Sequence, residues 1–271
     1  MMTDALVSTE WVAGRLGRPG LRVIEASMEP EAYASGHLAG ALAIDWKREL
    51  IEREDESSGL VSDAERFASM ARRLGLRPDD TLVFYGDQGG RHATRALWTF
   101  EYYGHGGALH WMDGGREKWL AEGRPLTHDE PSVTASDYPA PAGGDTSLRA
   151  THEAIQARLG DETFAVLDVR TAEEHAGTDV RAARGGHIPG AVHVFWKESL
   201  AADGSLRPRR ELAALYGAVS REGEVAVHCQ LGVRSAHTWF VLRHVLGYAN
   251  VRNYDGSWRE WGDREDTPIE R

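Results

Sequence analysis

The chain of 271 residues has a single cysteine, no long apolar run and no excess of positive charge. One cysteine cannot close an internal disulfide, which fits a reducing compartment and leaves no resolving thiol in the chain. No apolar stretch approaches the roughly 18 residues that cross a bilayer, so a helical membrane protein is excluded. The net charge of -11 argues against nucleic acid as a partner, because phosphate binding calls for a clustered basic surface. The same deficit means that an anionic substrate needs positive charge placed locally. The opening Met1-Met2-Thr3-Asp4-Ala5-Leu6 lacks the basic segment and apolar core of a secretory signal, and a cytoplasmic location is expected. Neither a metal nor a cofactor is expected. The length allows two domains of ordinary size, each burying its own core.

The lone cysteine is the most telling residue. Residues 224–228 alternate and are rich in valine, as in a buried strand, and Ala236, Trp239, Phe240, Val245 and Leu246 then recur at helical spacing up to Gly247. Cys229 therefore opens a strand-loop-helix turn, Gln230-Leu231-Gly232-Val233-Arg234-Ser235. Such a loop aims several backbone N-H groups at one point, and the helix dipole and Arg234 add positive potential there. Cysteines in such settings have a pKa of roughly 3.5 to 7.5 instead of about 8.5. The alternative is a buried structural cysteine, against which the polar, glycine-containing loop argues. His228 is adjacent, but strand alternation points it to the opposite face, where a packing role is expected.

The chain repeats itself. Val23-Ile24-Glu25 matches Val166-Leu167-Asp168, and Gly89, Arg91 and Gly104 match Gly232, Arg234 and Gly247, all 143 positions apart. His37 and His187 are 150 apart, so the second half carries seven more residues before its histidine. Two copies of one domain are expected, residues 1–124 and 149–271, joined by a linker over 125–148 where proline and glycine crowd together. Strands at 22–25, 81–85, 165–169 and 224–228 alternate with helices at 8–16, 62–74, 151–159 and 209–219, which implies mainly parallel sheets covered by helices. Ser8, Ser62 and Thr151 are placed as N-caps, Ser62 with Glu65 as a capping box. At the 143 offset Cys229 falls on Gly86, beside Asp87, so the first copy keeps the scaffolding without a nucleophile and is expected to be silent, packing on the second as one wall of a cleft.

The segments Gly36-His37-Leu38-Ala39-Gly40-Ala41, Asp168-Val169-Arg170, Gly186-His187-Ile188-Pro189-Gly190-Ala191, Cys229 through Ser235 and Tyr254-Asp255-Gly256-Ser257-Trp258-Arg259-Glu260-Trp261 resemble the tandem-domain rhodaneses, the thiosulfate and 3-mercaptopyruvate sulfurtransferases. The resemblance covers nearly the whole chain. It implies an α/β fold of two tandem rhodanese-like domains, each a mainly parallel sheet flanked by helices, with the active cysteine in the second. It also implies transfer of a sulfane sulfur through a persulfide on Cys229, from a small anionic donor to cyanide or a thiol. A persulfide carrier that docks a protein partner is the second reading. Cysteine phosphatases place five residues between cysteine and arginine; here four separate Cys229 from Arg234, and the smaller ring suits a sulfur atom better than a phosphoryl group.

For the donor, Arg234 is the one cation in the loop, and Gln230, Leu231, Gly232, Val233 and Ser235 complete the expected binding ring. The loop matches neither the animal thiosulfate pattern, Cys-Arg-Lys-Gly-Val-Thr, nor the mercaptopyruvate pattern, Cys-Gly-Ser-Gly-Val-Thr. It resembles more closely bacterial thiosulfate enzymes with a Cys-Gln opening and an Arg-Ser ending, which favours thiosulfate over 3-mercaptopyruvate. Glu174 stands where many family members have a substrate-binding arginine, so Arg181 and Arg184, in the extra stretch, are expected to supply the anion contact instead. Trp196 and Trp258 are placed either in the cleft wall or in the core.

Overall fold

The valine- and leucine-rich runs form short strands, each feeding a helix or loop, and the chain divides into two α/β units. The computed structural model describes residues 5–29, 31–52 and 58–271. The first unit runs to Ile51 and includes Ser62–Asp145 and Leu200–Leu206; the second comprises Glu52–Val61, Thr146–Ser199 and Arg207–Arg271.

In the first unit the order is β1 (Leu6–Val7), α1 (Thr9–Ala13), β2 (Leu21–Glu25), α2 (Glu31–Ala34), β3 (Leu42–Ala43), α3 (Trp46–Glu49), α4 (Ala64–Arg73), β4 (Thr81–Tyr85), α5 (Arg91–Tyr102), β5 (Leu109–Met112) and α6 (Gly115–Ala121). The sheet is parallel throughout, in the order β1-β5-β4-β2-β3. Val23, Val83, Tyr85, Met112 and Trp119 are buried together with Leu38 in its core. Ser8 caps α1 as expected, accepting from the N-H of Trp11. At α4 the expectation fails: Asp63 is the cap, accepting from the Arg66 N-H at 2.8 Å, because the Ser62 hydroxyl donates to the Glu49 carbonyl at 3.0 Å.

The proline-rich stretch after α6 is laid along the first unit up to Asp145. Thr127 pairs with His37, the Arg72 guanidinium donates to the Tyr138 carbonyl at 2.8 Å, and the buried Tyr138 hydroxyl meets His105 Nδ1 at 2.9 Å.

In the second unit α7 (His152–Gln156), capped by Thr151, precedes β6 (Phe164–Asp168), α8 (Ala172–Ala176), β7 (Val192–His193), α9 (Arg209–Leu215), β8 (Glu224–His228), α10 (Val233–Phe240), β9 (Val251–Asn253) and α11 (Ser257–Asp263). Its parallel sheet runs β7-β6-β8-β9, the order of β3-β2-β4-β5 in the first unit. The counterpart of β1 is reduced to one parallel bridge, Arg149 to Asn253. α10 continues into a π-helical turn, Val241–Leu246, closed by Gly247 at φ 80°. Among the described residues no helix is long and apolar enough to cross a membrane.

The packing of Tyr138 makes a specific expectation. Tyr138→Ala removes a buried ring and the partner of His105, and should lower stability by about 3 kcal/mol. Urea unfolding followed by tryptophan fluorescence measures it; an unchanged midpoint would show that the stretch is only draped on the surface.

Candidate active site

Cys229 follows the last residue of β8, an interior strand flanked by β6 and β9, and precedes α10. This is the carboxyl end of a parallel sheet, where α/β proteins bind their ligands. The turn into α10 passes through Gly232 at φ 72°, a conformation that costs other residues a clash at Cβ.

The loop is pinned from outside by Ser257, the first residue of α11. Its buried Oγ accepts the N-H of Cys229 and the N-H of Gly232, both at 3.0 Å, donates to the Tyr254 carbonyl at 2.7 Å, and lies 3.9 Å from Cys229 Sγ. To reach that point Ser257 adopts φ 54°, a left-handed conformation uncommon for serine. The Trp258 N-H and Arg259 N-H hold the carbonyls of Cys229 and Gln230 at 2.9 and 3.1 Å. Asn253 grips the other side: its Nδ2 donates to the Gly232 carbonyl at 3.2 Å and its Oδ1 accepts from the Ser235 hydroxyl at 2.6 Å.

Residues Ser58 to Val61 pack against this loop. A methyl group on Gly59 would lie 2.5 Å from the Asp255 carbonyl oxygen and 2.7 Å from Leu231 Cα, so glycine is required for the approach. Asp255 secures the segment, accepting from the Val61 N-H at 2.7 Å and from Arg149 at 2.8 Å.

Cys229 is buried. Burial opposes ionisation of the thiol, but Arg234, the hydroxyl and N-H of Ser235 and the N-H of Leu231 outweigh it and bring the pKa below the ordinary cysteine value. The pocket therefore stabilises the thiolate form relative to an ordinary cysteine.

Arg234 does not stand free. Its two terminal nitrogens meet both oxygens of Glu174, at 2.6 and 2.8 Å, in a bidentate pair. Glu174 also closes a capping box with Thr171 at the start of α8. Arg181 lies 3.8 Å from the same carboxylate, pairs with Asp179 at 2.7 Å and is half exposed; its carbonyl accepts from Gln230 Nε2 at 2.8 Å. Of the expected ring, Arg234, Ser235 and Leu231 act on the thiol, Gly232 is held by Ser257, and Arg181 joins the loop only through Glu174 and the Gln230 amide. Val233 is buried as the first residue of α10.

Arg184 is engaged elsewhere. Its guanidinium donates to the carbonyls of Gly262, Trp261, Arg264 and Thr267 and to the Thr267 hydroxyl, tying the chain after α11 to the residues before β7. Trp196 and Trp258 are fully buried, so both belong to the core; Trp258 stacks under Arg170 at 4.4 Å.

His228 is the last residue of β8 and is fully buried. Its Nε2 is 3.7 Å from Asp168, which Arg170 clasps at 2.6 Å and His175 meets at 2.9 Å. Burial lowers the His228 pKa from 6.5 to about 4. Burial also opposes charge on Asp168, but His228, His175 and Arg170 outweigh it and hold the carboxyl far below the carboxylate range. Among the described residues no cluster of three or more His, Cys, Asp or Glu is arranged to hold a metal.

The family model for the rhodanese-like domain matches the chain twice, over residues 8–122 and 151–264. The chain belongs to the rhodanese-like family. Among relatives of this rhodanese-like chain, the thiosulfate sulfurtransferase of Corynebacterium glutamicum is 39% identical over 98% of this chain and 90% of that one. The sulfur carrier protein TtuD of Thermus thermophilus is 38% identical over 98% of this chain and 96% of that one. The anaerobic ergothioneine biosynthesis enzyme of Chlorobium limicola has the same fold, with a TM-score of 0.87 at 23% identity over 98% of this chain and 70% of that one.

Two expectations follow from the geometry. Ser257→Ala strands two buried N-H groups, so thermal and urea unfolding should report a loss of about 1 to 3 kcal/mol, with alkylation of Cys229 shifted to higher pH; unchanged stability would mean that the loop holds itself. The second concerns acid. The unfolded chain protonates His228 below about pH 6.5 while the folded protein resists until about pH 4, so stability should fall through that window by about 1 kcal/mol per pH unit. Below it the depressed Asp168 adds a further loss. Melting temperatures across this range check the slope, which His228→Gln should flatten.

Proposed function

We propose that this rhodanese-like chain is a thiosulfate sulfurtransferase working through a persulfide on Cys229. The observation that carries the reading is the convergence of Arg234, the N-H groups of Leu231 and Ser235 and the Ser235 hydroxyl on one buried sulfur. The name of the Corynebacterium relative supports the same donor.

In the first step the Cys229 thiolate attacks the outer sulfur of thiosulfate. A bond forms between Sγ and that sulfur, the sulfur-sulfur bond of the donor breaks, and sulfite leaves with the electron pair. Arg234 and the loop N-H groups hold the terminal sulfur anion of the persulfide. In the second step cyanide or a thiolate attacks the terminal sulfur and the Cys229 thiolate departs, restoring the enzyme. Neither step needs an external oxidant or reductant. Arg181, at the rim beside Gln230, is the outer donor contact.

The first copy is silent in this scheme. Gly86 occupies the place of Cys229, and a Cβ there would collide with the Ala26 carbonyl oxygen, so the position has lost the room as well as the thiol. Glu117 closes the corresponding loop by accepting the Gln88 N-H at 2.6 Å.

Purified protein given thiosulfate and cyanide should form thiocyanate, and Cys229→Ser should abolish it; turnover that survives the substitution would overturn the proposal. Gly86→Cys should not restore thiocyanate formation in the Cys229→Ser chain. The second reading, a persulfide carrier, is favoured by the resemblance to TtuD. Intact mass separates the two: a one-sulfur adduct that discharges rapidly to one protein, with negligible turnover on small acceptors, supports the carrier.

A further inference from the structure

Resting on the sulfurtransferase reading, we propose that Glu174 is the residue that determines donor charge selectivity, by holding the anion clamp Arg234 partly neutralised. Charges at the rim are balanced overall: Arg234 pairs with Glu174 at 2.6 Å, and Arg181 pairs with Asp179 at 2.7 Å while standing farther, 3.8 Å, from Glu174. Glu174 is fully buried in its side chain and engages Arg234 through both oxygens, so the pairing is geometrically fixed and little screened. Other described charges close to the loop are themselves matched or neutral. His228 is neutral above about pH 4, Asp168 is matched by Arg170, and Arg259 pairs with Asp263 at 3.2 Å.

A clamp in this state grips a dianion only modestly more than a monoanion of the same sulfur chemistry. That loosens the hold on thiosulfate, and equally on the sulfite that leaves. Binding that is uniform across substrate, transition state and product lowers KM without raising kcat, so a tempered clamp favours turnover over saturation. The same carboxylate draws on the Arg234 charge that favours the thiolate, and so raises the cost of ionising the thiol through the arginine. Glu174 thus acts through Arg234 and is a positioning residue that sets selectivity.

Glu174→Gln is the discriminating variant, because glutamine also completes a capping box and so keeps the start of α8 while removing the charge. Two readouts apply. The pH midpoint of Cys229 alkylation by neutral iodoacetamide should fall by about one unit, the shift a single nearby charge produces. The thiosulfate KM should fall about tenfold and that of the monoanion methanethiosulfonate about threefold, since the freed cation acts on one charge instead of two. Glu174→Asp keeps the charge and should leave the alkylation midpoint and the KM ratio near those of the parent. Equal changes for the two donors, a rise in the thiosulfate KM, an unmoved midpoint, or an aspartate variant that behaves like the glutamine one each overturn the proposal. Absence of turnover in the parent with either donor sinks the sulfurtransferase reading instead, and the alkylation shift then decides the charge coupling alone.

Discussion

Backbone N-H groups converge on a single atom only if something holds the loop against its own entropy, and in this fold that constraint is one buried hydroxyl. Ser257 Oγ collects the N-H groups at both ends of the Cys229–Gly232 turn. Because the serine sits at the mouth of α11, the loop inherits the rigidity of that helix and of the core beneath Trp258 and Trp261. Asn253 and Asp255 extend the same device, the first to the far side of the turn and the second to the Ser58–Val61 segment. A sulfur site built this way is preorganised, and its donors need no rearrangement when negative charge moves from Sγ to the next sulfur.

The electrostatics build on that frame. Burial penalises a thiolate, and the loop answers with partial charges on amides and a hydroxyl and with one full charge on Arg234. The full charge has two claimants, the sulfur and Glu174. Dividing it lets the protein bury an arginine, a carboxylate and a thiolate within one small volume without leaving any of them unmatched.

Cys229, its strand and its helix were legible in the sequence because the relevant signals are local: alternation, a glycine in the loop, helical spacing after it. The repeat was legible for the same reason, since the match between Val23 and Val166 needs no knowledge of packing. Ser257 was quoted as part of a motif but its role was hidden, because that role depends on a left-handed backbone and on partners 25 and 28 positions away. Glu174 was visible only as a departure from the family pattern; its bidentate grip on Arg234 requires α8 to be placed beside the loop. Arg184 misled because an arginine in an inserted stretch reads as exposed, whereas the carbonyls at the end of α11 form a socket that fits a guanidinium. Asp63 displaced Ser62 as a cap because a distant carbonyl had claimed the serine hydroxyl.

Gly86 makes the asymmetry of the repeat a ratchet. The Ala26 carbonyl oxygen lies where a Cβ at position 86 would stand, so a codon change to cysteine alone does not build a thiol site there. Regaining a second sulfur site would take coordinated movement of two neighbouring strand ends and removal of the Glu117 plug from the loop. A thiol in the first half is therefore more than one substitution away.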